Sequence, residues 1–371
     1  MKDDSDSYFD SQEFNGILRM YEDMVADGGS VYFDSADLSN LAEYYLINGE
    51  TEKSDSVIEY GLSLHPGDTD ILVSKAGLMI SQGRIDEAKV IAESLNDPDS
   101  QELAYLRGEL AIYDGNIQMS EYWFNRAVEM SDNDTGMIND IIVRYMDNRN
   151  HDICQKWLDR ALILSPDSRN FIELQADLYF DTGQSDLAIE WYNHLLDEFA
   201  YDTYYWEQLG RIWYEKEDYV QALECFEFIE AIDPEYKPAL MMKASCLYDM
   251  EDWEKAFDIY NNLLVSDSDS YTLLYYCGRC LYETGCYDDA MNYLSDALNM
   301  LKLDNEVTKE MYVELFSVMA NCALKKDDIS HAKIYLHEGL AIDPDDEDLK
   351  KLAAIIIPDE DVGLITGNST Q

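Results

Sequence analysis

A repeat of 34 residues is the feature of this 371-residue chain that most restricts its fold. Its clearest copy, Thr203–Tyr236, carries apolar or small side chains three and four residues apart on both sides of a short polar segment. That spacing is typical of two amphipathic helices joined by a turn. Gly210 and Ala222 are small where the two helices should cross, and Pro234 should end the second helix. Because one such hairpin cannot bury its own apolar faces, the pattern predicts a stack of hairpins.

The same spacing continues in a common register through most of the chain. Nine copies begin at Ser35, Thr69, Gln101, Thr135, Arg169, Thr203, Lys237, Tyr271 and Val313, and a position within a copy is counted from its first residue. The second copy is two residues short near Pro98, and about eight extra residues, 305–312, precede the last copy. Eight residues are close to two helical turns, so we expect one added turn in each of two neighbouring helices. An added loop is the alternative.

Short helices should cover both ends of the stack. An apolar stripe before Gly28 and Gly29 consists of Phe14, Ile17, Leu18, Tyr21, Met24 and Val25. A second stripe consists of Leu349, Leu352, Ala353 and Ile356, and a flexible tail should follow from Pro358. The expected organisation is an acidic N-terminal segment with a capping helix over residues 1–34, tandem repeats over 35–346, and a C-terminal cap and tail over 347–371.

The copy from Thr203 resembles the tetratricopeptide repeat (TPR) family, whose pattern is a Trp, a Leu-Gly pair and a Tyr, then Ala, Phe, Ala and Pro. The residues that carry the resemblance are Trp206, Leu209, Gly210, Trp213, Ala222, Phe226 and Pro234. The resemblance implies an all-α fold of the α-α superhelix class. In that class, about nine helix hairpins with capping helices form a right-handed solenoid.

The resemblance also implies that the first helix of each repeat lines a concave groove, with positions 2, 5, 9, 12 and 13 facing a bound segment. Candidate partner-binding residues are then the rings at position 12, Phe180, Tyr214, Tyr248 and Tyr282; the acids at position 13, Asp181, Glu215, Asp249 and Glu283; and two arginines at position 9, Arg211 and Arg279. The alternative is that the rings pack between helices and the acids only solvate helix ends. Arg211 could likewise be satisfied by Glu207, one turn earlier in the same helix.

One binding mode of the family is not carried over. The chaperone-binding subgroup uses Lys and Asn at positions 5 and 9 to hold a terminal carboxylate. No copy has a Lys at position 5, and the only Asn at position 9 is Asn321.

The charge of the chain restricts its partners. With 77 Asp and Glu against 26 Lys and Arg, the net charge is -51, which should repel nucleic acids and anionic membranes. The charge either keeps the protein soluble and dispersed or steers a basic partner toward it. The first residues resemble neither a signal peptide nor a membrane anchor, and the seven unevenly placed cysteines fit reduced thiols. We expect a cytoplasmic protein.

The sequence contains one motif that could carry redox or zinc chemistry, the Cys-x-x-Cys spacing of Cys277 and Cys280. The register favours packing instead, because Cys280 shares its repeat position with Cys246 and Cys322. The five histidines are scattered, so we expect no metal and no cofactor. Acidic runs at 131–136 and 343–348 should be helix stops and N-caps rather than calcium loops.

Together these patterns predict a non-catalytic scaffold that binds a peptide or protein segment of basic character in an acidic and aromatic groove. The alternative is a structural protein that associates with itself through the ends or edges of the solenoid. An enzyme would require convergent titratable groups in one pocket, and no sequence motif supplies them. The oligomeric state, the partner and the role of the tail are left open.

Overall fold

The computed structural model describes residues 9, 11–267, 270–302 and 308–357. In these ranges the regular secondary structure consists of twenty α-helices, so the predicted all-α class is confirmed. The chain divides into two compact units, residues 1–178 and 179–371, which are described separately.

The first unit begins with a single helix and continues as helix hairpins. Its helices are α1 (Gln12–Asp27), α2 (Ser35–Ile47), α3 (Thr51–Leu64), α4 (Thr69–Ser81), α5 (Ile85–Ser94), α6 (Gln101–Tyr113), α7 (Ile117–Met130), α8 (Thr135–Asp147) and α9 (His151–Leu164). The next helix, α10 (Arg169–Asp181), contains the boundary between the two units.

The second unit repeats the same arrangement and ends with a single helix. Its helices are α11 (Ser185–Glu198), α12 (Thr203–Glu215), α13 (Tyr219–Ile232), α14 (Lys237–Asp249), α15 (Trp253–Ser266), α16 (Tyr271–Glu283), α17 (Tyr287–Leu301), α18 (Lys309–Lys325), α19 (Ile329–Ile342) and α20 (Glu347–Ile356).

The helix boundaries follow the predicted register. The first helices of the first eight hairpins begin at the residues where the sequence repeats begin. The ninth, α18, begins at Lys309, one turn before Val313, as the extra residues predicted. Its neighbour α17 has 15 residues against 14 in α15, so it does not gain a full turn. The remaining inserted residues, up to 307, lie outside the described ranges.

The two helices of a hairpin come close together at position 8 of the first helix. The Ser54 hydroxyl at position 20 donates a hydrogen bond to the carbonyl oxygen of Ala42 at position 8, over 2.8 Å. A β-carbon added to Gly210 would lie 2.7 Å from the Phe226 ring. This is closer than carbon atoms can pack, so the predicted close crossing is confirmed.

A left-handed residue at position 15 ends every first helix. The nine residues with positive φ at this position are Gly49, Gly83, Gly115, Arg149, Gly183, Glu217, Glu251, Gly285 and Asp327. This backbone conformation reverses the chain within three residues, and the second helix begins two residues later.

Single helices pack on the outermost hairpins. In the first unit, Phe14, Tyr21 and Met24 of α1 are buried in one cluster with residues of α2 and α3, whereas Val25 is 59% exposed. Val25 therefore does not belong to the buried apolar stripe of α1, although the sequence placed it there. In the second unit, the four apolar residues predicted for α20 are all buried. The tail from Pro358 lies outside the described residues, and the division into residues 1–34, 35–346 and 347–371 stays a prediction.

Candidate protein-interaction surface

The acidic residues predicted at position 13 are the last residues of four consecutive first helices. Asp181, Glu215, Asp249 and Glu283 end α10, α12, α14 and α16, and all four are exposed. No carboxylate of the four forms an ion pair with a described residue. A helix C-terminus already carries partial negative charge from its free carbonyl groups. Each carboxylate thus adds to that potential instead of compensating it.

The rings at position 12 stand beside these acids and are half-buried. Tyr214 packs edge-to-face against Tyr219, with ring centroids 5.4 Å apart, and Tyr282 contacts Tyr287 at 5.8 Å. In each case the partner is the first residue of the following helix. The rings therefore do pack between helices, as the alternative interpretation expected, and each also keeps part of its surface in solvent.

One hydrogen bond joins the ring and acid rows of neighbouring hairpins. The Tyr214 hydroxyl donates to Oδ2 of Asp249 over 2.5 Å. Burial raises the pKa of Tyr214, and the hydrogen bond to the Asp249 carboxylate raises it further. The tyrosine therefore stays a neutral donor at physiological pH, and it holds the Asp249 carboxylate in place.

The two arginines at position 9 lie against rings of the preceding hairpin. The Arg211 guanidinium lies 5.5 Å from the centroid of Phe180, and its Nη1 donates to the Gln208 side-chain oxygen over 3.3 Å. Its predicted partner Glu207 instead accepts a hydrogen bond from the Tyr236 hydroxyl over 2.7 Å. The alternative pair of Glu207 with Arg211 is thus not formed, because the Tyr236 hydroxyl donates to the Glu207 carboxylate; Arg211 bonds within its own helix to Gln208 instead.

Arg279 is held between two rings. Its guanidinium carbon lies 4.9 Å from the centroid of Tyr248 and 5.7 Å from that of Tyr275. The Tyr275 hydroxyl in turn reaches Oε2 of Glu314, 3.5 Å away, in the next first helix. The structure therefore brings two candidate residues, Arg279 and Tyr248, into contact. It adds Tyr275 and Glu314, which were not among the candidates.

The first unit contains a polar cluster that the sequence did not indicate. Glu109 of α6 is only 6% exposed, and Nε of Arg144 in α8 lies 3.1 Å from its Oε1. That oxygen accepts no hydrogen bond, so the contact is ionic without hydrogen-bond geometry. Burial raises the pKa of Glu109, and the Arg144 charge opposes this rise.

Two further acids face the same region of the first unit. The side chains of Glu43 in α2 and Asp140 in α8 are reached by solvent, yet desolvation by the surrounding protein raises the pKa of each carboxyl group. The charge of Asp140 raises the pKa of Glu43 as well. The sequence offered one signal for this cluster, the acids Glu43 and Glu109 at position 9 of the first and third copies. Their proximity to α8 required the fold.

The motifs considered for other chemistry have structural roles. Cys277 and Cys280 are buried, and burial raises the pKa of both thiols to about 12, which leaves them protonated and unreactive. Asp134 and Asp346 of the acidic runs are N-caps of α8 and α20. No cluster of His, Cys, Asp and Glu suited to a metal ion occurs in the described ranges. Across those ranges, too, every helix is too short or too polar to span a membrane.

Consecutive 34-residue helix hairpins, with rings and acids repeated at the ends of the first helices, define an α-helical repeat protein. Two family models described as tetratricopeptide repeat match residues 140–203 and 238–270. The chain therefore contains tetratricopeptide repeats. Repeats of this family mediate contacts between proteins, and the chain is accordingly a protein–protein interaction scaffold by class.

Several solved structures are similar to this chain at low sequence identity. The C-terminal part of a TPR repeat-containing protein from Cytophaga hutchinsonii has a TM-score of 0.54 and 17% identity, covering 66% of this chain and 97% of its own. A tetratricopeptide repeat protein from Parabacteroides merdae has a TM-score of 0.47 and 15% identity, with 69% and 98% covered. PilF of Pseudomonas aeruginosa has a TM-score of 0.47 and 15% identity, covering 60% of this chain and 97% of its own. A search of curated protein sequences gave no match.

Proposed function

We propose that this chain is a non-catalytic scaffold whose second unit binds an extended, basic segment of a partner protein. The binding surface is the ring–acid row, which we define as the ten residues Phe180, Asp181, Arg211, Tyr214, Glu215, Tyr248, Asp249, Arg279, Tyr282 and Glu283. The proposal goes beyond the class of the protein, because it commits to a surface and to the charge of the partner.

The observation that carries the proposal is the position of the four acids at helix C-termini. A carboxylate there is unfavourable for the helix by about 0.3–1 kcal/mol, because it adds to the negative end of the helix dipole. Solvation of a helix end does not require this arrangement, since a Lys or a neutral residue would serve better. The first three first helices end instead in Ile47, Ser81 and Tyr113, and the fourth ends in Asp147. Acids therefore end five consecutive first helices, the last four of them in the proposed binding surface, where a bound cation would relieve the unfavourable charge.

The rings give the same surface a second way to hold cations and aliphatic side chains. A Lys or Arg stem can lie on a half-buried ring while its charged end reaches the neighbouring carboxylate, and a cation on an exposed ring contributes about 0.5–1 kcal/mol. Arg211 and Arg279 already lie on rings of this row, at 5.5 Å and 4.9 Å. Both would stiffen the surface and donate to backbone carbonyl groups of the bound segment.

The net charge of -51 would act before contact is made. A field of one sign raises the rate at which a partner of opposite charge arrives, and salt reduces that rate. Association of a basic segment should therefore be fast and sensitive to ionic strength.

The test uses three fluorescein-labelled peptides of equal length, one lysine-rich, one neutral and one glutamate-rich, with binding followed by anisotropy. The binding variant combines Asp181→Asn, Glu215→Gln, Asp249→Asn and Glu283→Gln, which keep side-chain size and an acceptor for the Tyr214 hydroxyl. The control variant removes the same charge from second helices of the same hairpins. It combines Glu190→Gln, Glu224→Gln, Asp258→Asn and Asp289→Asn, all of which change exposed residues.

We expect the lysine-rich peptide alone to bind the unaltered protein. Loss of four exposed ion pairs of about 0.5 kcal/mol each should weaken its binding by about 30-fold in the binding variant. The control variant should change it by less than about threefold, through the general field. Equal losses in both variants would show that charge alone attracts the peptide, and the assignment of the ring–acid row would fail.

Self-association through the ends of the array is the competing structural role. In the described residues, α1 and α20 bury apolar residues of the terminal hairpins, so those faces are not free for a second copy. Measurement of mass at several concentrations would identify association through another surface.

A further inference from the structure

A small cavity in the first unit follows from the shortened second repeat. Helix α5 has ten residues, whereas α3 and α7 have 14 each, and residues 95–100 connect α5 to α6. This connection surrounds a cavity of about 210 Å³, lined by Asn96, Asp97, Pro98, Ser100 and Ala104 together with Arg107, Trp123 and Arg126. The volume corresponds to roughly seven water molecules at about 30 Å³ each, which is enough for a small organic group.

Two arginines meet at this cavity on one tryptophan. The guanidinium carbon atoms of Arg107 and Arg126 lie 4.9 Å and 5.8 Å from the ring of Trp123. Nη2 of Arg107 donates to the carbonyl oxygens of Ala92 and Leu95, over 3.2 Å and 2.8 Å. Nη2 of Arg126 donates to the carbonyl oxygen of Pro98 over 2.6 Å. These bonds satisfy carbonyl groups that the short helix leaves open.

The same bonds use only one nitrogen of each guanidinium. A guanidinium has five N–H groups in a planar fork, so Nε and Nη1 of both arginines remain as donors. No described residue accepts from these atoms. Two adjacent donor sets of this kind match a planar oxyanion, which pairs with an arginine through two parallel hydrogen bonds.

The charges of this pair are also uncompensated. Neither Arg107 nor Arg126 has a carboxylate oxygen within 4.0 Å among the described residues, although acids outnumber bases by 77 to 26 in the chain. Arg84, by contrast, pairs with Glu87. Asp97 lines the cavity, but its carboxylate accepts the backbone N–H of Asp99 over 3.2 Å. Two like charges on one ring repel each other, and a bound anion would remove that repulsion.

We propose that this cavity binds a carboxylate, with Arg107 and Arg126 as its two charged partners. A singly charged group is favoured over a phosphate, because the protein has a net charge of -51 and Asp97 lies at the cavity wall. Ala104 and Pro98 supply apolar contact for the carbon atoms that carry the carboxylate. The proposal is independent of the ring–acid row, which lies in the other unit.

The indole N–H signal of Trp123 in protein labelled with ¹⁵N-tryptophan reports on the cavity, and Trp123→Phe identifies that signal. Sodium propionate is titrated into the protein. A parallel titration uses propionamide, with sodium chloride added to give the same ionic strength. A second arm compares N-acetyl-trialanine with its C-terminal amide, which distinguishes a peptide carboxylate from a free small acid. We expect saturable shifts of the Trp123 signal with the carboxylate forms and not with the amides.

Arg126→Gln removes one charge and keeps a neutral donor for the Pro98 carbonyl group. Loss of one charge-assisted pair should weaken propionate binding by about tenfold or more. Arg160→Gln is the matched control, because the Arg160 guanidinium also lies on a tryptophan, 5.2 Å from the ring centroid of Trp157. Its Nη1 and Nη2 donate to the side-chain oxygens of Asn125 and Asn133. Arg160→Gln should leave binding unchanged.

The proposal fails if propionamide shifts the Trp123 signal as much as propionate does, and this comparison uses only the unaltered protein. Unchanged propionate affinity in folded Arg126→Gln would likewise overturn it. Tighter binding of inorganic phosphate than of propionate would overturn the choice of a carboxylate.

Discussion

Glycine at position 8 shows how one residue sets the distance between two helices. In α6 and α12 this glycine faces the ring at position 24 of its own hairpin, Phe124 or Phe226. A β-carbon on Gly108 would lie 2.5 Å from the Phe124 ring. The missing side chain is what allows a large ring to fill the space between the two helices.

Gly210→Ala should lower the free energy of unfolding by about 1–3 kcal/mol, since its β-carbon would lie 2.7 Å from the Phe226 ring. The matched control is Gly77→Ala, also within a helix, where an added β-carbon meets nothing within 4 Å. That change should be neutral or stabilising by up to about 1 kcal/mol. Urea denaturation followed by circular dichroism measures both. Equal effects would show that helix propensity, not the crossing, determines the glycine.

Some side chains contact partners that the spacing of residues along one helix did not indicate. Arg211 lies on Phe180 and bonds to Gln208, while Glu207 accepts from Tyr236. Sequence spacing along one helix identifies which residues could pair, but the next hairpin competes for the same groups.

At the scale of an element, the turn at position 15 is the most uniform feature of the hairpins. All nine of its residues have φ between 54° and 81°, although four of them are not glycine. A residue with a β-carbon pays about 1–2 kcal/mol for this conformation. The hairpin geometry therefore imposes the turn even where the sequence opposes it.

Glu251→Gly should stabilise its hairpin by up to about 1 kcal/mol, because glycine adopts a φ of 63° without steric cost. Gly285→Ala should destabilise by about 1–2 kcal/mol, because φ there is 81°. The two turns occur in neighbouring hairpins, so denaturation midpoints can be compared directly. Destabilisation by Glu251→Gly would mean that the glutamate side chain contributes more than the backbone strain costs.

The shortened second repeat shows what an element can create by departing from the pattern. Because α5 ends early, Arg107 and Arg126 satisfy the carbonyl groups of the connection and come together on Trp123. The two-residue deletion was visible in the sequence. The cavity was not, because its walls come from the connection and from helices on both sides of it.

At the scale of the whole molecule, charge is the dominant property. A net charge of -51 leaves most carboxylates without a cation, and their mutual repulsion opposes the compact state. The ion pairs of the described residues are mostly exposed, so each contributes little, about 0–1 kcal/mol. Burial of apolar surface between stacked hairpins must supply the stability.

The midpoint of thermal unfolding should therefore rise when sodium chloride is increased from about 10 mM to about 500 mM, because the Debye length falls from about 30 Å to about 4 Å. Differential scanning calorimetry measures this change. The rise should level off once the Debye length is shorter than the spacing of the carboxylates. A linear rise without a plateau would indicate a solvent effect on apolar burial, and a fall would contradict the role given to repulsion.

The sequence by itself determined the repeat, the hairpin and most helix boundaries. These depend on local spacing, since small residues at positions 8 and 20 and apolar residues one turn apart are readable along the chain. It also indicated the rows of rings and acids at positions 12 and 13, because they recur in register.

Only the tertiary structure decided which of these side chains meet. Tyr214 bonds to Asp249, Arg144 reaches Glu109, and Arg126 joins Arg107 on Trp123 across different helices. Such contacts depend on the rotation and distance between neighbouring helices, which are set by the packing of buried side chains and not by spacing within one helix.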